Sequence, residues 1–356
     1  MLAILFNIYL VFISLVALGM LFLASRGYKQ ENPKGRYSPK TLVIVPCKGT
    51  DLTLEENLVA ISKQKYHNYD MVCVVDDTKD KSLVTIKKLK LNYIISKSRC
   101  GYCSGKVRAI ASAVESLQKY SVYVIADSDI LPEPHWLANL VAPLADPKVG
   151  LSTGYPFFNP ISGFWSKVKS AWGLVGEGLM ESKVTVFGWG GSLAFRRDLL
   201  DSSGMSLFKE SISDDIALTN ISKNRSLKIF YAKNAKLKVN VKEDFREFAE
   251  WANRQTTLST MGNSQVFYFG VIFYFAQILL LLSGLILGIF YSLIFLLLLL
   301  PIILGTIKGY HRLRSKYAEF FLISPTLPFI YLSNLLIAKS MKQIRWRGNT
   351  YLLKRH

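Results

Sequence analysis

Charge is missing from two long stretches of this chain, and cysteine, histidine and acidic residues are scarce in it. Residues 2–24 and 266–307 hold no Asp, Glu, Lys or Arg. A run of about 20 apolar residues can cross the ~30 Å hydrocarbon core of a bilayer, so the chain reads as an integral membrane protein. The four cysteines, Cys47, Cys73, Cys100 and Cys103, include a single Cys-x-x-Cys pair, and the four histidines are scattered. A zinc site wants a second ligand pair, and a redox motif wants the pair to open a helix behind a strand; neither pattern is there. Cys100 and Cys103 are therefore expected to sit reduced in a cytosol-facing loop. Asp and Glu number 25 against 44 Lys and Arg, a formal charge of +19. No aromatic-basic binding module accompanies this excess, so no nucleic-acid partner is expected. Attraction to anionic lipid and positive-inside retention are the favoured uses of the excess, given the apolar segments, and attraction of an anionic ligand could add to either.

The first apolar run also lacks the basic start of a signal peptide. Its positive charges, Arg26, Lys29, Lys34, Arg36 and Lys40, come after it. Residues 1–25 are expected to be a transmembrane helix whose C-terminal side is cytoplasmic, followed by a polar linker over 26–40. The run 266–307 is too long for one helix and suits two spans turning near 284–292. Lys308, Arg312, Arg314 and Lys316 follow it; 320–338 is a further apolar stretch broken by Pro325 and Pro328; the tail 339–356 is basic again. Both basic segments belong in the cytoplasm, which a crossing by 320–338 would prevent, so that segment is expected to re-enter or lie at the interface. The sequence leaves the oligomeric state open.

Between the apolar ends, over 41–245, strand and helix patterns alternate. Leu42–Val45, Met71–Val75, Tyr93–Ile95 and Val122–Ala126 read as short buried strands, the first ended by Pro46. Leu54–Lys65, Val84–Leu89 and Val107–Leu117 read as helices. This order predicts an α/β domain with a mostly parallel, Rossmann-like sheet that binds ligands beyond the carboxyl ends of its strands. From 155 to 200 the pattern loosens. Phe157, Phe158, Phe164, Trp165 and Trp172 mix with Lys167 and Lys169, suiting a membrane interface or a buried loop core. Residues 188–192 read as a flexible turn, and 246–265 as an amphipathic helix before the first C-terminal span.

Three acidic clusters carry the chemistry: Asp76-Asp77, Asp127-Ser128-Asp129 and Asp214-Asp215. The first two end strands. Asp127 and Asp129, alternate residues with hard oxygen donors, can hold Mn2+ or Mg2+ against a nucleotide diphosphate. Asp76 or Asp77 can hydrogen-bond a base or ribose, or merely form a turn. Lys106 can reach a phosphate or be an ordinary first-turn lysine. Asp214 and Asp215 open a helix as caps or as a catalytic carboxylate. Trp251, Arg254 and Gln255 share the amphipathic helix, where Arg254 either snorkels or faces the leaving diphosphate.

In this order, from Pro46 to Gln255, the motifs resemble those of family 2-type (GT-A) membrane glycosyltransferases, most of all the ceramide glucosyltransferase branch and its bacterial lipid-glycosylating relatives. The resemblance implies that Pro46, Cys47, Lys48 and Gly49 line the nucleotide pocket. It implies that Asp76 or Asp77 contacts uridine, Lys106 lies near the diphosphate, and Asp127 with Asp129 forms the metal motif. Ser213–Leu218 is similar to the family's "ED" motif, with Asp215 at the general base. Trp251 fits the helix signature, but Glu247 and Glu250 stand where basic or amide residues belong, and Arg254 follows the Trp instead. Residues 346–351 resemble the tail of the bacterial enzymes. The implied activity is inverting transfer of a hexose, glucose by resemblance, from a UDP-sugar to a membrane lipid hydroxyl. A processive polysaccharide synthase, or a non-catalytic membrane binding protein on the same fold, are the alternatives.

Overall fold

A computed structural model describes residues 2–25, 33, 37–262 and 264–353. Arg26, Lys29, Lys34 and Arg36, with most of the expected linker, and the last three residues of the tail lie outside the described residues. The chain opens with the apolar helix α1 (Leu2–Ser25). Four strands then run parallel: β1 (Thr41–Cys47), β2 (Tyr69–Val75), β3 (Tyr93–Ile95) and β4 (Val122–Ala126). Helices α2 (Leu54–Ser62), α3 (Ser82–Lys88) and α4 (Gly105–Ser116) connect them.

Continuous apolar runs form these strands because both faces of the sheet are covered. Val43 and Val45 pack with Leu58, Ile61 and Ile86 of α2 and α3, whereas Leu42 and Ile44 pack with Val107 and Ile110 of α4. This alternation is the two-residue period of a strand. β1 runs on through Pro46 rather than ending there. Its pairing with β4 stops at Ile44 while its pairing with β2 continues to Cys47, so the proline sits where one neighbour has already left and its missing N–H costs little. α2 ends at Ser62, three residues earlier than its apolar pattern.

After β4 come β5 (Ile130–Pro132), α5 (Trp136–Val141), β6 (Val149–Thr153), β7 (Phe157–Ser162), α6 (Phe164–Trp172) and α7 (Leu174–Met180). Then follow β8 (Ser192–Arg196), α8 (Ser202–Lys209), α9 (Asp214–Asn224), β9 (Lys228–Tyr231) and β10 (Leu237–Lys242). The main sheet has seven strands in the order β3-β2-β1-β4-β8-β6-β9, with β8 antiparallel to both neighbours, and β5-β10-β7 form a second sheet. In the aromatic stretch after residue 155, Phe158 and Trp172 are buried, as in a loop core, and Phe164 is exposed.

α10 (Phe245–Gly262) leads into α11 (Ser264–Phe290), a 3-10 stretch Leu293–Leu299, α12 (Leu300–Arg312), α13 (Phe320–Ile323) and α14 (Leu327–Ser340). A hairpin of β11 (Gln343–Trp346) and β12 (Asn349–Leu352) ends the described chain. Four helical segments are long and apolar enough to cross a membrane: Ala3–Ser25, Ser264–Phe290, Leu293–Arg312 and Phe320–Ser340. The turn between the second and third falls at Tyr291–Ser292. α1 packs on this pair through Ile13, Ala17 and Met20 against Leu280 and Leu298. The outward faces stay apolar, with Leu15 64% and Ile272 67% exposed, as lipid allows.

Both ends of the fourth segment meet the α/β domain. Glu319 pairs with Lys167 of α6, and beyond α14 Arg347 pairs with Asp51. Cys100 and Cys103, expected as a reduced pair, stand side by side with their Cα atoms 5.9 Å apart, within bridging reach of each other.

Candidate active site

The carboxyl ends of β1, β2 and β4 open into a cavity of about 410 Å³. Pro46, Cys47 and Lys48 line it from β1, Asp76 from β2, Lys106 from the first turn of α4, and Asp127, Ser128 and Asp129 from the end of β4. Asp214 and Asp215 reach it from the start of α9, and Trp251, Arg254 and Gln255 from α10. Two sequence candidates stand apart from the lining. Gly49 holds a left-handed turn (φ 72°) and donates its N–H to Asp80 at 3.0 Å. Asp77 is exposed and accepts the Lys79 N–H at 2.6 Å, an ordinary turn bond. Of the first acidic pair, Asp76 alone faces the cavity. Arg108 at 2.9 Å and Lys48 at 3.1 Å grip its carboxylate. Burial works against that charge, but the two cations prevail and hold its pKa below the usual carboxylate range.

Lys106 is the hub of the other two clusters. Its ammonium lies 2.7 Å from Asp127 and 3.2 Å from Asp214, and donates to the Gly190 carbonyl at 3.1 Å. Burial disfavours the charge on Lys106, yet Asp127 and Asp214 overcome it and raise its pKa. Asp214 itself is pushed up to about 7, by burial first and by its neighbours Asp215 and Asp127, against the pull of Lys106. Gly190 makes the arrangement possible, and the segment expected to be a flexible turn is tightly constrained there. A Cβ on Gly190 would come 2.6 Å from Asp214 and 2.9 Å from Lys106.

Asp129 lies beyond this hub. Its Oδ1 is buried with no hydrogen-bond partner, and burial, then Asp127 and Asp51, push its pKa up to about 7. An orphaned carboxylate oxygen beside a second carboxylate is a donor set that suits a hard divalent cation. Among the described residues no three His, Cys, Asp or Glu side chains gather to hold a metal by themselves. Two carboxylates fit a cation whose remaining ligands are phosphate oxygens and water, as is usual for Mg2+.

Asp215 lies where this cleft meets a second, more apolar cavity of about 110 Å³. Its carboxylate accepts the Ile216 N–H at 2.8 Å, the Gly190 N–H at 3.4 Å and the Ser213 hydroxyl. The second cavity runs between α7, α9 and α10, past Trp172, Leu179 and Leu258, to Val266 at the head of α11. Trp251 forms part of both walls. Its ring lies 4.2 Å from the Lys169 ammonium and packs edge-on against Trp172 at 4.9 Å and Phe158 at 5.1 Å. Lys169 pairs with Glu243 beneath it.

Several lining residues carried no readable signal in the sequence. Lys169 and Glu243 are distant in the chain and meet only through the fold. The terminal hairpin contributes Ile344, Trp346, Arg347, Asn349 and Tyr351 to the cleft. The similarity of residues 346–351 to a bacterial tail pointed at this segment without giving it a place.

The solved structure of the mannosyltransferase PcManGT from Pyrobaculum calidifontis, in complex with GDP-Man and Mn2+, is similar to this chain at 18% identity. The match covers 92% of this chain and 97% of that one with a TM-score of 0.54, a likeness of fold. Glucosyl-3-phosphoglycerate synthase from Mycobacterium tuberculosis, with Mn2+ and UDP-glucose, matches at 16% identity over 64% of this chain and 79% of that one, with a TM-score of 0.42. The family model described as Glycosyl transferase family 21 matches residues 6–356, nearly the whole sequence. The chain therefore belongs to glycosyl transferase family 21 and is a glycosyltransferase.

Proposed function

We propose that the protein is an inverting hexosyltransferase that moves a sugar, glucose by resemblance, from a UDP-sugar to the hydroxyl of a membrane lipid. The observation that carries this is the meeting of two unlike cavities at Asp215. One is polar and edged with carboxylates and cations; the other is apolar and leads to the first C-terminal apolar helix.

In this reading the donor lies in the polar cleft. Asp76 and the β1 exit, Pro46 to Lys48, hold the nucleoside end. Asp127 and Asp129 would hold Mn2+ or Mg2+, which supplies charge neutralisation for the diphosphate as it leaves. Lys106 and Arg254 add positive charge to the same end of the cleft. The acceptor enters through the apolar cavity, with its hydroxyl towards Asp215. Asp215 takes the hydroxyl proton as the oxygen attacks the anomeric carbon, and a single displacement inverts that centre. Asp214 is less suited to the role, because its side chain is buried and engaged by Lys106. Trp251 forms the wall between donor and acceptor.

The apolar helices and the basic segments beside them support a membrane enzyme whose α/β domain, 41–245, faces the cytoplasm, with 246–265 at the interface and 266–338 in or on the bilayer. To test the assignment, purified Asp215→Asn protein is given membrane lipids and labelled UDP-glucose. The expected result is loss of labelled glycolipid by a factor of at least ~10³ with UDP binding retained, the scale on which a general base contributes. Near-normal transfer removes Asp215 from the role.

A further inference from the structure

We propose that the C-terminal hairpin is part of the donor site and that Arg347, at its tip, contacts the diphosphate of the bound nucleotide sugar. This rests on the donor reading of the polar cleft and adds a residue that the motif order does not supply.

The hairpin is built to aim that side chain. Its two-residue turn is Arg347-Gly348, with φ 49° and 77°, the mirror-type turn that suits twisted strands. Asn or Gly relaxes the first position of such a turn; here an arginine holds it in left-handed backbone. The hairpin is tied down on two sides of the cleft mouth. The Tyr351 hydroxyl accepts the Gly105 N–H at 3.3 Å, at the head of α4 beside Asp76. The Arg345 carbonyl accepts from Arg254 at 3.3 Å. Between these ties the Trp346 ring stands 5.9 Å from the Lys106 ammonium, and Arg347 reaches the Lys48 carbonyl at 3.3 Å and the Asp51 carboxylate.

The charges at that mouth fit an anion. Lys106 is engaged by two carboxylates, Lys169 by Glu243, and Lys48 and Arg108 share Asp76. Arg254 and Arg347 lie close enough that Arg347 disfavours the charge on Arg254, after burial, which does so most. Both arginines line the one half-enclosed cleft, Arg347 beside Asp51 and in the field of Asp129 and Asp127, so a phosphate bound there can take donors from each. Each carries five N–H donors in a fixed fork, so Arg347 can keep Asp51 and still present an edge to phosphate oxygens. Asp51 also accepts the Ser128 hydroxyl, which links the hairpin tip to the Asp127–Asp129 motif.

The rival is a strap that only pins the hairpin to Asp51. Arg347→Asn separates the two, because asparagine suits the turn and removes the charge; Arg347→Lys keeps a charge without the fork. Equilibrium binding of UDP and of UMP, each with Mn2+, is measured on the full-length protein in detergent. The expected result is at least tenfold weaker UDP binding in Arg347→Asn, an intermediate loss in Arg347→Lys, and no more than a twofold change for UMP. Unchanged UDP affinity, or equal losses for UDP and UMP, overturns the inference while leaving the donor cleft in place. Wild-type protein that binds neither nucleotide overturns the donor reading and this inference with it.

Discussion

The Lys106 ammonium sits 2.7 Å from Asp127 Oδ1, on a carboxylate that a divalent cation at the donor site would also use. On the proposed reading, a metal at Asp127 would compete with Lys106 until a diphosphate arrived to share both charges. Replacing Lys106 by Met removes the competitor and leaves Asp214 buried without a counter-charge. The expected outcome is tighter binding of Mn2+ alone, at least tenfold weaker binding of UDP, and a stability loss of about 3 kcal/mol, the usual cost of a broken buried pair. Electron paramagnetic titration of Mn2+, with and without UDP, checks the first two; thermal unfolding in detergent checks the third.

Asp129 is expected to make folding stability depend on pH on the acid side of neutrality. An unfolded Asp loses its proton near pH ~4, whereas burial, Asp127 and Asp51 hold the folded one to about 7. Between these values the folded state binds the extra proton, so this group's contribution to stability falls as pH rises from about 4 to about 7 and stays low above that. Asp129→Asn should remove the penalty: on the order of 2 kcal/mol more stable than wild type at pH 8, with the difference vanishing towards pH 4. Metal binding runs the other way, because the ligand must be ionised. Mn2+ affinity of the wild type should rise through pH 7, and the Asp129→Asn protein should lack that rise. Unfolding midpoints and Mn2+ titrations at pH 5, 6, 7 and 8 measure both.

The strands and the polar cleft were legible because they follow local rules. Leu42–Val45 and Val122–Ala126 are continuous apolar runs, and an acidic residue after such a run falls at a carboxyl end by construction. Which of two adjacent acids faces the cleft was not legible. Asp76 and Asp77 differ only in the direction of their side chains, and the partners that Asp76 meets in the cleft, Lys48 and Arg108, lie 28 and 32 residues away. The apolar cavity was equally hidden, since α7, α9 and α10 each give it only a few residues. The hairpin's place depends on contacts across as many as 299 residues, as between Arg347 and Lys48, and no periodicity encodes those.

The small cavity gives a test of acceptor entry that spares the donor. Ser259 lines it without touching the polar cleft. Tryptophan at that position competes with the acceptor for about 110 Å³ of apolar space. Ser259→Trp is expected to lower glycolipid formation by about tenfold, the effect of one lost apolar contact region worth about 1.4 kcal/mol. UDP affinity should stay within twofold of wild type. Equal losses in both would mean that the two cavities are not separate routes.

The terminal hairpin also bears on topology. Phe320–Ser340 is long and apolar enough to cross a bilayer, and a crossing would put the tail on the opposite side from the α/β domain. Yet Ser315, before this segment, donates to Asn159 of β7 at 2.8 Å, and Tyr351, after it, bonds to Gly105 of α4. Within it, Asn334 donates to Asn253 of α10 at 2.7 Å and accepts from Trp172 of α6 at 3.0 Å, contacts that hold α14 along the domain's own helices. These ties support the proposal that the segment lies along the interface or dips in and returns. A reporter fused after His356 should therefore give the same sidedness as one inserted in the exposed turn at Lys79. In intact cells, a cysteine in place of Thr350 should resist a membrane-impermeant thiol reagent until the membrane is opened. Labelling of intact cells at position 350, with protection at position 79, would mean that the segment crosses and that the hairpin cannot reach the cleft.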